Sequence, residues 1–309
     1  MPEKTTYASS GVDINEENKA VSKIVDILKA TAKFREGKLG EVKSEIGHYA
    51  NFVDIGANQY LVLSTDSAGT KVLVAQEANK FDTIAIDMIA MNVNDVICVG
   101  AEPIAMVDYL AVEATDEKIA GEIARGLAEG AKQAGIAIIG GETATLKGVI
   151  TGIGGKGFDI AGTCLGVVAK DKVVLGDKIA PGDKIIGLAS TGIHSNGYTL
   201  ARNVMLENYK IDDVLPWGKK VSEELLAPTM IYVKPVLKVL EKHFSKVTGL
   251  SNITGSGFLN LKRLNKNVGF HFGSILRIPK IFEEIQRLAN IDDAEMFRTF
   301  NMGMGFAII

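Results

Sequence analysis

At 309 residues, with 47% hydrophobic and 23% charged side chains, the chain has the make-up of an ordinary globular protein and length for two domains. Its 34 basic and 37 acidic residues leave a net charge of -3, which argues against a nucleic-acid partner. No apolar run reaches the roughly 18 residues of a membrane span, and "MPEKTTYASSGVD" lacks the apolar centre of a signal peptide, so a cytoplasmic protein is expected.

Residues 19–33 place Val21, Ile24, Val25 and Leu28 on one helical face. A polar, glycine-containing stretch from Gly37 to Gly56 follows, then strand-forming residues around 60–64. The run "STDSAGTK" (64–71) stands between two apolar segments, Tyr60–Leu63 and Val72–Val74. It fails the order of a Walker loop, G-x-x-x-x-G-K-[ST]. Two readings stay open: a tight turn between strands with a solvated lysine, or a loop whose small residues admit an anion, with Lys71 as point charge and Asp66 on Mg2+.

From Ile84 to Val99 the chain is apolar except for Asp87, Asn92, Asn94 and Asp95. At about 100° per residue Asp87 and Asn94 fall nearly in line on a helix. A buried carboxylate needs a partner, either a neighbouring element that it caps or a metal or ligand. A short apolar run at 104–107 precedes the amphipathic helix 115–135, which Thr115 or Asp116 starts and Gly135 ends. "IAIIGGET" reads as a buried strand entering a glycine turn, with Gly140, Gly141, Glu142 and Thr143 at the strand end where α/β proteins place ligands. Asp66, Asp87, Asp95 and Glu142 together would form an acidic pocket suited to Mg2+ ions bridging ATP phosphates. Cys98 and Cys164 lie in apolar segments without metal or redox spacing and read as structural thiols.

"DIAGTCLGVVA" (159–169) is a further strand, and a domain boundary is expected near residue 172, giving domains 1–172 and 173–309. The second half reads as a strand at 184–190, helices near 197–207 and 229–243, and strands near 268–272 and 304–309. The whole is a mixed α/β protein. "STGIHSNGYTLAR" (190–202) offers Ser, His and Asn side chains at a helix start, a natural oxyanion or phosphate site, where His194 is either a titrating acid or base or an inert loop histidine.

In order along the chain, "GVDI" (11–14), "TDSAGTK", "DMIAMNVNDVICVGAEP", "GGETA", "DIAGTCLGVV", "GIHSNGYTLAR", "LLAPTMIYVK", "ITGSGF" and "FRTFNMGMGFAI" resemble the aminoimidazole ribonucleotide synthetase family. The resemblance spans nearly the whole chain, and "HSNGY" with "LLAPT" and "FNMGMG" is its most specific combination. It implies an N-terminal α/β domain whose strands close a barrel with a second subunit, a C-terminal α/β domain, and ATP in a cleft near the dimer interface. It also implies conversion of formylglycinamidine ribonucleotide to aminoimidazole ribonucleotide through an iminophosphate. On that resemblance Asp66, Asp87, Asp95 and Glu142 hold Mg2+ and the triphosphate, with Thr70, Lys71 and Asn94 on phosphates or their waters. His194, Ser195 and Asn196 bind substrate, His194 handles protons, and Lys71 and Asp95 complete the catalytic set.

Three features depart from the family. Ser67-Ala68 replaces a glycine-containing pair, "GKLGEVKSEIGHYAN" stands where bacterial members carry a glycine-rich loop, and the sequence ends at Ile309, before the family's usual last helix and strand. Thiamine-monophosphate kinase and the hydrogenase maturation dehydratase fit the acidic pocket as alternatives, but "HSNGYTLAR" with "LLAPT" separates the chain from both. Selenophosphate synthetase needs a reactive cysteine ahead of Cys98, which the sequence lacks. A non-catalytic nucleotide-binding subunit is the alternative from another class, marked by ATP binding without substrate-dependent ADP release.

Overall fold

The structure is a computed structural model that describes residues 14–309, with side chains from residue 19; "GVDI" up to residue 13 and the N-terminal segment before it lie outside the described residues. Helix α1 (Ile14–Leu28) runs into a 3-10 segment, Lys29–Arg35. The polar stretch that follows contains two strands, β1 (Glu41–Val42) and β2 (Asn51–Asp54). Strand β3 (Gln59–Ser67) leads through residues 68–70 into helix α2 (Lys71–Ala78). Val72–Val74 is therefore helical, which corrects the expected turn between two strands. Val72 and Val74 are buried inside a packed helix, and tertiary burial outweighs β-propensity there.

Helix α3 (Ile84–Ile97) is buried at every residue but Asp95. Strand β4 (Glu102–Val112) and helix α4 (Glu117–Ala134) follow, with Asp116 capping α4 through its carboxylate to the Lys118 and Ile119 amides at 2.9 and 3.0 Å. Strands β5 (Ala137–Thr145) and β6 (Phe158–Ala169) complete a six-stranded sheet in the order β1-β2-β3-β6-β4-β5. β4 and β5 are parallel, joined through α4, while β6 runs antiparallel to β3 and β4. Alternation along β6 buries Ile160, Gly162 and Cys164 towards α3 and leaves the intervening residues on the opposite face.

The second sheet is β7 (Ile186–Ala189), β8 (Leu250–Asn252) and β9 (Met304–Ile308), with β9 central and buried throughout. Helices α5 (Tyr198–Asn208), α6 (Val221–Leu225), α7 (Val233–His243), α8 (Lys280–Ala289) and α9 (Asp293–Thr299) surround it. The expected strand at 268–272 is absent: no strand lies between Leu264 and Pro279. The alternation of Val268, Phe270 and Phe272 packs rings, Phe272 lying 4.6 Å from Phe258, but without a strand alongside to complete a ladder. Helix α3 packs on β3 and β6 of the first sheet and also touches α7 and β8, so it belongs to both halves.

Candidate active site

The loop from Asp66 to Thr70 leaves the end of β3 and meets the 194–199 loop of the second half. A Cβ on Gly69 would lie 3.8 Å from the Ser195 carbonyl, and the Thr70 and Thr199 hydroxyls are 3.4 Å apart. Gly69 takes the left-handed conformation, φ 61°, so the turn does not demand it of Ser67 or Ala68. The departure at those two positions carries no backbone strain. Strand, loop and helix α2 follow one another as they do where helix N-termini receive phosphate.

Beneath this contact lies a buried polar knot. Lys71 is fully buried, and its ammonium donates to Asp87 Oδ1 at 2.9 Å, to the His194 carbonyl at 3.1 Å and to the Ala227 carbonyl at 2.7 Å. Burial lowers the Lys71 pKa against the pull of Asp87. The same Asp87 oxygen accepts the Thr229 amide at 2.7 Å, the Thr229 hydroxyl at 2.6 Å and the Ser195 hydroxyl at 3.3 Å. Seven positions on, Asn94 accepts from the Tyr232 amide at 2.9 Å and donates to the Met230 carbonyl at 2.8 Å. Asp87 and Asn94 thus fall in line as the helix period requires, and both hold the 225–232 segment.

Lys71, Asp87 and Asn94 thus tie the two halves together, while the second carboxylate oxygen of Asp87, Oδ2, is buried without a partner. The three donors of an ammonium are all spent on Lys71, which leaves none for a phosphate. Thr229 is the member of this knot that the sequence reading did not assign; "LLAPT" was its only signal.

His194 is buried, with φ 70° in the left-handed region, and its Nε2 accepts the Thr191 amide at 3.2 Å. Burial and then the Lys71 charge push the imidazole down to about 3, so it is neutral at physiological pH. The charged imidazolium is disfavoured there, and the Nε2 lone pair is held by the Thr191 amide. Asn301 of the "FNMGMG" segment fixes the loop by donating to the Gly192 and Ile193 carbonyls at 2.8 and 3.1 Å. Ser195 is buried and shares a 2.8 Å hydrogen bond with Thr229, whereas Asn196 is half-buried, close to where a Cβ on Gly255 would stand.

The remaining acids separate into two places. Asp66 and Asp95 are partly open and near enough that the Asp66 charge helps raise the Asp95 carboxyl; burial is the larger cause and brings it to about 7. Asn252 donates to Asp95 at 2.8 Å. Beside Asp66, the Asn92 amide donates to the Asp66 carbonyl at 3.1 Å while its buried oxygen has no partner. Glu142, by contrast, pairs with Tyr109 on the exposed edge strand β5. Its row, Ser67, Ala161, Tyr109 and Glu142, is on the sheet face turned away from α3, about 14 Å across three strand spacings from β3. Gly140, Gly141 and Thr143 share that edge. The expected four-acid pocket is not formed within one chain, and among the described residues no group of three or more His, Cys, Asp or Glu side chains converges on a metal position.

The raised Asp95 carboxyl gives a pH prediction. A carboxyl that binds its proton more tightly folded than unfolded contributes stability below the unfolded value near 4, lost as pH rises through about 7. In metal-free buffer, Asp95→Asn is therefore expected to be more stable than the parent at pH 8, with the difference vanishing towards pH 4. Urea melts across that range check it; equal stability at pH 8 would place the carboxylate in water.

Residues 47–168 match the model "AIR synthase related protein, N-terminal domain" and residues 180–309 its C-terminal counterpart. The chain belongs to the AIR synthase related protein family. Among curated relatives it is 52% identical to a protein of Methanocaldococcus jannaschii, over 98% of this chain and 84% of that one. It is 53% identical to one of Thermococcus kodakarensis, over 98% and 87%. Both are named phosphoribosylformylglycinamidine cyclo-ligase. Among solved structures, thiamine monophosphate kinase from Aquifex aeolicus shares the fold at a TM-score of 0.63 with 15% identity, over 93% of this chain and 86% of that one. The hydrogenase maturation protein HypE does so at 0.54 and 18%, over 81% and 71%.

Proposed function

We propose that the chain is an ATP-dependent cyclo-ligase that converts formylglycinamidine ribonucleotide to aminoimidazole ribonucleotide, ADP and phosphate. The observation that carries this is the meeting of the 66–70 and 194–199 loops, in a chain half identical along nearly its whole length to proteins bearing that name. In the reaction the formyl oxygen takes the γ-phosphoryl group of ATP while the bond to the ADP oxygen breaks. An amidine nitrogen then attacks the activated carbon, phosphate leaves, and a proton is released.

Phosphoryl transfer asks a protein for position and charge neutralisation. Gly69, Thr70 and the first turn of α2 are assigned to the phosphates, and Ser195 and Asn196 to the substrate. Mg2+, when bound, would neutralise and orient the phosphates. Asp66 and Asp95, with the unpartnered oxygen of Asn92, supply the hard oxygen donors that suit it, while Asp87 is already neutralised by Lys71. The division of the chain near residue 172 and a cytoplasmic location belong to the same proposal. Among the described residues no helix is long and apolar enough to cross a membrane.

A homodimer is proposed from the outer sheet face. Leu63, Val107 and Tyr109 are each about two-fifths exposed, on the face that among the described residues no other layer covers, and Ile139 beside them is more open still. Covering that face with a second copy would bring Glu142, Gly140, Gly141 and Thr143 into the interior, so their assignment to nucleotide binding depends on assembly. Leu63→Asp with Val107→Asp is expected to shift the protein from dimer to monomer in light scattering. A parent that is monomeric at micromolar concentration would sink the dimer.

The assay is ADP release from Mg-ATP with and without formylglycinamidine ribonucleotide, with the aminoimidazole product followed in parallel. One product per ADP, strictly dependent on substrate, is the expected result. ATP turnover without product would turn attention to the kinase-like relatives, and ATP binding without turnover to a non-catalytic subunit.

A further inference from the structure

Ser195 lies where the 194–199 loop meets the 66–70 loop, its carbonyl 3.8 Å from where a Cβ on Gly69 would stand. Its hydroxyl is the outermost member of a short polar chain. Exposure falls from 6% at Ser195 to 3% at Thr229 and to zero at Asp87 and Lys71. The Ser195 hydroxyl lies 2.8 Å from the Thr229 hydroxyl and 3.3 Å from Asp87 Oδ1, and Thr229 donates to that same carboxylate oxygen at 2.6 Å.

Counting protons gives this chain a direction. Asp87 is the ion-pair partner of Lys71, and its Oδ1 takes the Lys71 ammonium at 2.9 Å and the Thr229 amide at 2.7 Å, so it accepts and does not donate. Thr229 has one hydroxyl proton, and the 2.6 Å contact with Asp87 uses it. What Thr229 offers Ser195 is therefore a lone pair. Ser195 also has one hydroxyl proton, and both of its interior neighbours can only accept it. That proton points inward whichever of the two receives it. Towards a bound molecule the Ser195 oxygen presents lone pairs alone. A solvated serine rotates to donate or accept as its ligand requires, whereas this one is held to a single sense by a buried ion pair.

An acceptor of fixed sense distinguishes N–H from C=O. The proposed substrate carries an amidine, whose nitrogens donate. The corresponding amide ribotide has an oxygen in place of one of those nitrogens and is otherwise alike in shape. Against Ser195 an amidine N–H makes a hydrogen bond, while an amide oxygen sets lone pair against lone pair and leaves both groups unpaired.

We propose that the Ser195 hydroxyl selects the amidine ribotide over the corresponding amide, with Thr229, Asp87 and Lys71 as positioning residues that hold its proton inward. This rests on the cyclo-ligase reading. The test is calorimetric binding of the two ribotides to the parent, S195A and S195C, with Mg2+ and a non-hydrolysable ATP analogue present. The parent is expected to bind the amidine roughly 10- to 100-fold more tightly than the amide, the range for one mispaired buried polar contact. S195A should bring the two affinities to within about threefold of each other, the amidine losing its acceptor and the amide its repulsion. S195C fills the same space with a weak acceptor and should lose the discrimination likewise. A loop merely displaced by the substitution would weaken both ribotides alike and leave their ratio untouched. A parent that binds both ribotides equally, or an S195A that keeps the parent's ratio, would overturn the proposal, while product formation by that same parent would leave the cyclo-ligase reading standing. A parent that binds neither ribotide and forms no product would overturn that reading and this proposal with it.

Discussion

Lys71→Met is expected to cost about 3–5 kcal/mol of folding stability, the range for removing one partner of a buried ion pair. The substitution keeps the length and apolar stem of the side chain. It leaves Asp87 with hydroxyl and amide donors from Thr229 and Ser195 but no positive charge, at a position without solvent. It also strips the His194 and Ala227 carbonyls of their shared donor. Urea unfolding at pH 7 checks it. Adding Asp87→Asn to Lys71→Met should recover part of the loss, because the uncompensated charge goes. A single-variant loss below about 1 kcal/mol would mean that the ammonium is hydrated and not buried, as exposed ion pairs are worth no more than that.

The second large effect is expected at Gly305, in the central strand β9. A Cβ there would overlap the Tyr232 hydroxyl and His194 Cε1. The Tyr232 hydroxyl donates to the Ala189 carbonyl at 2.7 Å, and the His194 carbonyl receives Lys71, so neither neighbour can retreat without breaking a buried hydrogen bond. Gly305→Ala should therefore push the 192–197 loop away from the 66–70 loop and reduce kcat/KM at least 100-fold, since a displacement of about 1 Å costs that much where reacting groups must be aligned. Near-native stability with unimpaired turnover would show that the loop does not need its present place.

Much of this was legible in the sequence, and the failures have distinct physical causes. The alignment of Asp87 with Asn94 followed from the helix period alone. What they hold could not be read, because Thr229 and Met230 are 142 and 136 positions away. Capping a distant segment and binding a ligand place the same demand on a buried carboxylate, and the sequence does not distinguish them. Glu142 was grouped with the other acids because it ends a strand. Register decides its face, and β4 and β5 slip between Met106 and Val107, an irregularity with no signature in "IAIIGGET". His194 was judged by its residue type, whereas its chemistry is set by burial that only the assembled loops produce.

Helix α3 carries a consequence for how the chain can be taken apart. Its Asp87 and Asn94 take hydrogen bonds from segments more than 130 residues later, Thr229 and the 230–232 stretch, and most of the rest of its surface is apolar. Cut from the second half, the first would expose a carboxylate and its lysine set in hydrocarbon. The two halves are therefore not interchangeable modules. Grafting either one onto a relative would have to carry the Lys71, Asp87 and Thr229 triple with it, and melting should proceed as one cooperative event.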